Sequence, residues 1–351
     1  MIHTQKITPK RRQLLQLAAI GASTLYLSPV AAQQQRVVVG TWGGDYAKLL
    51  TKNIDDPYLK PKGIEVVQDQ AADGPRRAKM VAEKRLPRGS VDVQAFSAAN
   101  MFEMNGVDLL EPLDYSKIPN SKLLISSMKY TYGIGQIYSG KVVVYNPKMI
   151  KPAPSSFKDA FDPKWGNRSG IIDIQYIFVI MAASLAATNG ASMIDFEKAK
   201  EVLLASKKAG VRIYPTNEAF AQALKTEEIS IGIMWKARAV QWQNAGISVE
   251  SVAATEGIPL YISGFSISKN APNKDAAYAY INATLEKNAQ EAFAVDMGYN
   301  AAITTAVVAP DLQKRIGFTA EEQKRLKDLN YEYIAKNDAA MKEWWDKVFK
   351  A

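Results

Sequence analysis

The apolar positions of this chain fall in short β-branched runs that alternate with stretches of helical periodicity. These runs lie at residues 37–39, 91–96, 171–174, 211–214, 229–235 and 260–268. Compact β-branched runs predict buried strands. A strand followed by a helix, repeated along the chain, predicts mostly parallel sheets with helices on both faces, which is an α/β fold.

The first strand ends in a glycine-rich turn, which we expect to form one wall of a binding cleft. Gly43 and Gly44 permit a tight turn around Trp42, and Asp45 is predicted to cap the helix that follows. Ligands of open α/β sheets bind beyond the carboxyl ends of the strands. The glycine spacing fits neither a P-loop nor a dinucleotide fingerprint.

Several later helices carry start signals of their own. Asp195 and Asn217 are predicted N-caps, and the Thr-Ala-Glu-Glu sequence from Thr319 is predicted to form a capping box. An amphipathic helix is predicted for the tail, residues 341–349, with its two tryptophans packed inward.

The amino-terminal residues 1–32 have the pattern of an export signal. Four basic residues and no acids accompany an apolar stretch at residues 14–27 and a small-residue cleavage site. The pair Arg11 and Arg12 resembles a twin-arginine motif, and an ordinary Sec signal is the alternative. Either route predicts a periplasmic protein, and the apolar stretch is too short for a good membrane span.

Composition narrows the possible chemistry. Loss of the signal's four basic residues lowers the net charge from +9 to +5, and no basic block with aromatic residues indicates nucleic-acid binding. The single histidine, His3, lies within the signal, and the chain has no cysteine. These absences exclude Ser-His-Asp and Cys-His catalysis and the usual zinc sites, and no metal or cofactor is predicted.

Conspicuous side chains follow the ends of three predicted strands. Trp42 follows the first, Ser97 follows the strand at residues 91–96, and Trp235 ends the strand at residues 229–235. A tryptophan at a strand end is often part of the core. Two at corresponding topological positions favour a binding cleft.

Four basic residues near these positions have two interpretations. Lys236 and Arg238 lie at a helix start, where a cation opposes the helix dipole and makes sense beside a bound anion. Arg76 and Arg77 follow a Gly-Pro turn and could reach the same cleft. The alternative for all four is an ordinary solvated surface position.

The order and spacing of several stretches resemble the periplasmic solute-binding proteins of ABC transporters. The resemblance is to the spermidine/putrescine-binding branch of the bacterial extracellular solute-binding proteins. The stretches are residues 38–46 (Val-Val-Gly-Thr-Trp-Gly-Gly-Asp-Tyr), 63–67, 91–93, 109–114 (Leu-Leu-Glu-Pro-Leu-Asp), 116–120, 144–147 (Val-Tyr-Asn-Pro), 162–166 (Asp-Pro-Lys-Trp-Gly), 271–273 and 297–299.

The resemblance implies a type II binding-protein fold, with two α/β lobes joined by crossing strands and closed on a ligand by hinge bending. It places lobe 1 at residues 36–138 and 262–303, and lobe 2 at residues 139–261 and 304–351. It also implies a monomer that delivers a small solute to the permease subunits of a membrane transporter.

The resemblance also implies ligand-binding residues. The residues at the family's ligand positions are Trp42, Tyr46, Ser97, Asp173, Trp235, Tyr261, Ser263 and Tyr299, with Gly43 and Gly44 in the first turn. Ala99 stands where an aromatic residue is expected, Tyr261 replaces a tryptophan and Ser263 replaces an aspartate. A second acid, expected within residues 176–178, is missing.

These departures favour an anionic or zwitterionic ligand, because a buried ammonium without carboxylates is costly. Arginine and a helix start would grip a carboxylate, with the apolar part of the ligand on Trp42 and Trp235. A polyamine is the alternative ligand. Without adjacent tyrosines, a ferric-ion binder is disfavoured. A different class is an exported carboxylate-dependent hydrolase, with Asp55–Asp56 or Glu227–Glu228 as candidate acid pairs.

Overall fold

The computed structural model of the protein describes residues 35–351, which form a 12-stranded mixed sheet surrounded by helices. The strands are β1 (Gln35–Thr41), β2 (Ile64–Gln70), β3 (Val93–Ser97), β4 (Lys129–Tyr130), β5 (Gly133–Tyr145), β6 (Ser169–Ile172), β7 (Arg212–Tyr214), β8 (Ile231–Trp235), β9 (Glu250–Val252), β10 (Ile258–Ile267), β11 (Asn300–Ala301) and β12 (Leu326–Lys327).

Helices connect most of the strands, as the alternating pattern predicted. They are α1 (Gly44–Leu50), α2 (Asp73–Glu83), α3 (Ala98–Gly106), α4 (Phe157–Phe161), α5 (Tyr176–Thr188), α6 (Phe196–Ala209), α7 (Asn217–Lys225), α8 (Lys236–Asn244), α9 (Lys274–Thr284), α10 (Lys287–Met297), α11 (Pro310–Ile316), α12 (Ala320–Gln323) and α13 (Tyr331–Trp344). π-Helical segments extend α1 through Thr51–Leu59 and α13 through Trp345–Phe349.

The sheet has two parallel ends joined by an antiparallel pair. Its strand order is β2-β1-β3-β10-β5-β8-β6-β7. We call β2, β1 and β3 the first half-sheet, and β8, β6 and β7 the second half-sheet. Neighbours within each are parallel, whereas β10 and β5 pair antiparallel with each other, with β3 and with β8. The type II binding-protein fold is therefore confirmed.

Strand β5 belongs to both halves of the sheet. Its first part pairs with β10, and residues 141–145 pair with β8. Separate hydrophobic cores lie on the two sides of this crossing. One draws mainly on residues 37–137 and 260–303, and two others draw mainly on residues 142–258 and the carboxyl-terminal helix.

Three local predictions are confirmed. The Asp195 side chain accepts a hydrogen bond from the Lys198 N–H at 3.1 Å, and Thr319 forms its capping box with Glu322. In the tail, Trp345 is fully buried within the second core, so it is a packing residue.

Two predicted caps are wrong. Gly43 occupies the N-cap of α1, which places Asp45 inside the first turn without a capping hydrogen bond. Thr216 caps α7, because its backbone is extended and its hydroxyl accepts from the Ala219 N–H at 3.1 Å. Asn217 is thus the first helical residue, and its side chain is available for other contacts.

The export signal predicted for residues 1–32 lies outside the described residues and stays a prediction, as do the lobe boundaries. Within residues 35–351, no helix combines the length and the apolar character that a membrane crossing requires.

The crossing pair depends on close backbone contact at one glycine. The β10–β5 register shifts between Ser263 and Gly264, and a Cβ atom on Gly264 would lie 1.7 Å from the Ile134 carbonyl oxygen. The neighbouring backbone cannot yield as a flexible side chain would. Glycine is therefore required where the two halves join.

We predict that Gly264→Ala lowers the free energy of unfolding by about 3 kcal/mol or more, because the added methyl group overpacks against backbone. Gly106→Ala is the control, since a Cβ there meets no atom within 4 Å; it should change stability by less than about 1 kcal/mol. Denaturant titration measures both, and equal losses would contradict the explanation.

Candidate functional site

A cleft of about 770 Å³ opens between the two half-sheets, at the ends of β1, β3 and β8. It brings together ten of the fourteen predicted site residues. These are Trp42, Gly43, Gly44, Tyr46, Ser97, Trp235, Arg238, Tyr261, Ser263 and Tyr299. The two tryptophans therefore face one shared space.

The wall next to the first half-sheet is built on Trp42 and Tyr46. Their rings meet edge to face with centroids 5.2 Å apart, and the Tyr46 hydroxyl donates to Gln136 Oε1 at 2.9 Å. Burial raises the pKa of Tyr46, and nearby Arg76 partly offsets that rise. Tyr46 is consequently a neutral hydroxyl at ordinary pH, held firmly in place.

The opposite wall is an aromatic cluster around Trp235. Phe178 meets this indole edge to face at 4.5 Å, and Tyr261 lies 4.8 Å from it. Tyr299 continues the cluster 6.1 Å beyond Tyr261. Sequence analysis missed Phe178, because it lies within an apolar helix rather than at the end of a strand.

Arg238 supplies a cation to this wall from the first turn of α8. Its Nη1 donates to Gln241 Oε1 at 2.8 Å, and its Nε is buried with no hydrogen-bond partner among the described residues. Burial raises the pKa of Tyr299, and the positive charge of Arg238 partly offsets the rise. Arg238 lines the cleft, and its Nη2 forms no hydrogen bond with the described residues, so this nitrogen is the donor left for a ligand.

The structure corrects the placement of Arg76, which does not line the cleft. Its side chain is 2% exposed and pairs with Asp73 at 2.7 Å. Nη1 also donates to the carbonyls of Ala95 at 2.7 Å and Gly40 at 3.1 Å. Its guanidinium lies 5.0 Å from the Trp42 ring centroid. Arg76 thus holds the glycine turn and the indole from behind.

Two other predicted cations are also absent from the cleft wall. Arg77 forms an ion pair with Glu103 on the neighbouring helix. Lys236 is buried and donates to the Gly317 carbonyl, and its burial lowers its pKa. Both side chains already donate to acceptors within the protein, so neither side chain is positioned to bind a ligand.

Asp173 is likewise displaced from its predicted place. Its two carboxylate oxygens accept from Trp345 Nε1 at 2.7 Å and from Lys350 Nζ at 2.8 Å. The carboxyl-terminal segment packs against this part of the second core. Its Trp345 and Lys350 side chains use the hydrogen-bonding capacity of the Asp173 carboxylate. Spacing along the chain could not reveal this, because the partners are about 170 residues away.

The expectation of a cleft poor in carboxylates is wrong. Four acids line it, namely Asp45, Asp73, Glu218 and Asp296. Burial raises the pKa of Asp73, and the nearby Arg76 and Arg77 partly offset that rise. Sequence analysis missed these acids because each occupies a helix end rather than a strand end.

Three of these acids already have cationic partners. Asp73 pairs with Arg76, as described above, and Asp45 lies 3.5 Å from Lys48 on an exposed turn. Asp296 pairs with Lys52 at 2.8 Å. Glu218 is exposed at the rim and has no ion pair within residues 35–351.

A buried lysine lies behind Trp235. Lys141 is fully buried, with Nζ 4.3 Å from the indole centroid and donating to Gln175, a residue of the cleft wall. Burial places the pKa of Lys141 well below its usual value. Sequence analysis missed it because a lysine before a valine run suggests a solvated strand end.

The acid pairs considered for a hydrolase lie elsewhere. Asp55 is buried against Gln68, and Glu228 pairs with Arg212. Neither they nor their neighbours line the cleft. In the described part of the chain, no group of histidine, cysteine, aspartate or glutamate residues is arranged to hold a metal ion.

Comparisons with known proteins agree with this geometry. Residues 53–320 match the family model described as bacterial extracellular solute-binding protein. The spermidine/putrescine-binding periplasmic protein of Escherichia coli is 22% identical over 298 residues, covering 81% of this chain and 82% of that protein.

Solved structures share the fold along most of their length. A structure described as a GABA receptor is 22% identical with a TM-score of 0.79, covering 90% of this chain and 98% of its own. A periplasmic binding protein from A. tumefaciens B6, in complex with glucopine, is 20% identical with a TM-score of 0.75. That match covers 90% of this chain and 100% of its own.

We predict that Arg76→Lys lowers the free energy of unfolding by about 3 kcal/mol, since lysine keeps the charge but cannot serve the same acceptors. Arg77→Lys is the control because its half-exposed ion pair should contribute at most about 1 kcal/mol. Denaturant titration compares the two, and equal losses would refute a structural role specific to Arg76.

A second prediction concerns pH. Because the pKa of Lys141 is lowered in the folded state, unfolding takes up a proton below the unfolded pKa of about 10.4, and raising the pH stabilises the fold. Between the lowered folded pKa and the unfolded pKa of about 10.4, the free energy of unfolding should rise more steeply with pH in the wild type than in Lys141→Met. The limit is about 1.4 kcal/mol per pH unit. Parallel slopes would contradict this.

Proposed function

We propose, since the chain belongs to the bacterial extracellular solute-binding proteins, that it is the periplasmic substrate-binding component of an ABC uptake transporter. In this role it captures a small organic solute and delivers it to membrane permease subunits. We propose that the protein works as a monomer, that residues 1–32 direct its export, and that nucleic acid is not a partner.

The observation that carries this proposal is the shared cleft of Trp42 and Trp235. One indole stands at the end of β1 and the other at the end of β8, on opposite halves of the sheet. A solute held between them contacts both halves at once, so its binding favours the closed arrangement. The two lobes proposed from the sequence move about the β5–β10 crossing.

For the ligand, we propose an organic carboxylate or a zwitterion. Arg238 is the one basic side chain among the cleft-lining residues of the described chain, and its Nη2 has no hydrogen-bond partner among the described residues. A guanidinium of this kind binds a carboxylate by charge-assisted hydrogen bonds. Glu218 at the rim offers a partner for the ammonium group of a zwitterion. The GABA receptor and the glucopine complex support ligands other than polyamines on this fold.

A polyamine is the second candidate. Four carboxylates line the cleft, and the relative in Escherichia coli is described as a spermidine/putrescine-binding protein. Aromatic faces also attract ammonium groups. Against it, Asp45, Asp73 and Asp296 already have cationic partners, which reduces their attraction for a further cation.

A transport role predicts that the bound solute leaves unchanged. Native mass spectrometry of the purified protein gives the mass of any co-purified solute. We expect the same mass after prolonged incubation. Conversion of that solute to a product would favour the hydrolase alternative.

We predict that GABA or succinate stabilises the protein in thermal melts more than putrescine does. A ligand at about 100 times its dissociation constant adds ~2.7 kcal/mol. Arg238→Gln should abolish most of this gain. Arg212→Gln removes an exposed arginine outside the cleft and should preserve it. A melt shifted by putrescine alone, and retained in Arg238→Gln, would refute the proposed ligand class.

A further inference from the structure

Three polar side chains form a chain of hydrogen bonds behind the second wall of the cleft. Lys141 of β5 donates from Nζ to Gln175 Oε1. Gln175, in the turn between β6 and α5, donates from Nε2 to Asn217 Oδ1 at 2.8 Å. Lys141 is fully buried, whereas Gln175 and Asn217 line the cleft.

The groups around Gln175 give this chain one direction. Met234 Sδ can only accept, and it lies 3.8 Å from the amide nitrogen of Gln175, so this nitrogen is on the side of Met234 and Asn217. The Gln175 carbonyl oxygen then faces Lys141, whose Nζ donates to it whether or not the amine is protonated. Asn217 must therefore turn its own carbonyl oxygen toward Gln175.

This arrangement leaves the Asn217 Nδ2 group as a donor that no protein acceptor uses. Within residues 35–351, the Asn217 Nδ2 group donates no hydrogen bond. Asn217 does not cap helix α7 either, because Thr216 is the N-cap residue. Asn217 lines the cleft at the start of α7. Its free N–H bonds thus belong to the surface that a solute meets.

We infer that Asn217 is a ligand-binding residue that donates to an oxygen acceptor of the solute, and that Lys141 is a positioning residue that, together with Met234, holds this direction through Gln175. The inference rests on the proposed solute-binding function and specifies its ligand class. A carboxylate oxygen satisfies the Asn217 donor. An ammonium group has no acceptor and leaves that donor unpaired, which is the strongest basis for discrimination in a polar site.

The direct test reverses the polarity at one atom. In Asn217→Asp, a carboxylate oxygen replaces Nδ2 and the other oxygen still accepts from Gln175. Isothermal titration with GABA, succinate and putrescine measures the effect. We expect the affinity for GABA or succinate to fall by about tenfold or more, because the new oxygen repels a carboxylate. The affinity for putrescine should rise.

The matched control is Asn244→Asp. It makes the same change in side chain and net charge on an exposed residue of α8 that does not line the cleft. It should alter carboxylate binding by less than about twofold. Unchanged carboxylate binding in Asn217→Asp would overturn the inference while leaving the proposed function intact. Binding of putrescine alone, not strengthened by Asn217→Asp, would also overturn it.

A ligand-free measurement separates the inference from the proposed function. Side-chain amide NMR of the whole protein, labelled at asparagine and glutamine, reports which amide protons are protected from solvent exchange. We expect protected Gln175 amide protons and rapidly exchanging Asn217 amide protons, with the protection at Gln175 lost in Lys141→Met. The reverse pattern would overturn the inference even if a carboxylate binds. The expected pattern in a protein that binds no probe would count against the proposed ligand class alone.

Discussion

The antiparallel contact between β5 and β10 is the constraint on which the molecule depends. These two strands run between parallel half-sheets that otherwise have separate cores, and β5 exchanges one partner for the other partway along its length. The close approach at Gly264 allows no side chain there. Because Ser263 and Tyr261 sit on this crossing, part of the cleft floor is made by the joint itself.

Most positive charges near the cleft are engaged by the protein. Arg76, Lys141 and Lys236 are all buried and donate to carbonyl oxygens of the backbone or of an amide side chain. Buried nitrogen donors need such partners, since an unpaired polar group in the interior is costly. Each fixes an element of the wall, which leaves ligand contacts to Arg238 and to neutral donors.

The aromatic walls and the polar groups contribute differently to ligand recognition. Rings of Trp42, Trp235 and Phe178 offer apolar surface to many solutes of suitable size. Discrimination then depends on a few directed polar atoms, whose hydrogen-bond direction is decided by residues behind the surface. A carboxylate count alone is a poor guide to ligand charge here, because three of the four acids are already paired.

The sequence by itself determined the α/β class and pointed to ten of the cleft residues. Trp42, Ser97 and Trp235 follow from strand periodicity, which is a local property, whereas Tyr46, Tyr261, Ser263 and Tyr299 came only from the family resemblance. Only the tertiary structure decided which charges are free. Asp173 accepts a hydrogen bond from a helical segment about 170 residues away. Arg76 donates hydrogen bonds to backbone carbonyls of two strands. Local pattern cannot report such pairings, because hydrogen-bond partners are chosen by the packing of distant segments.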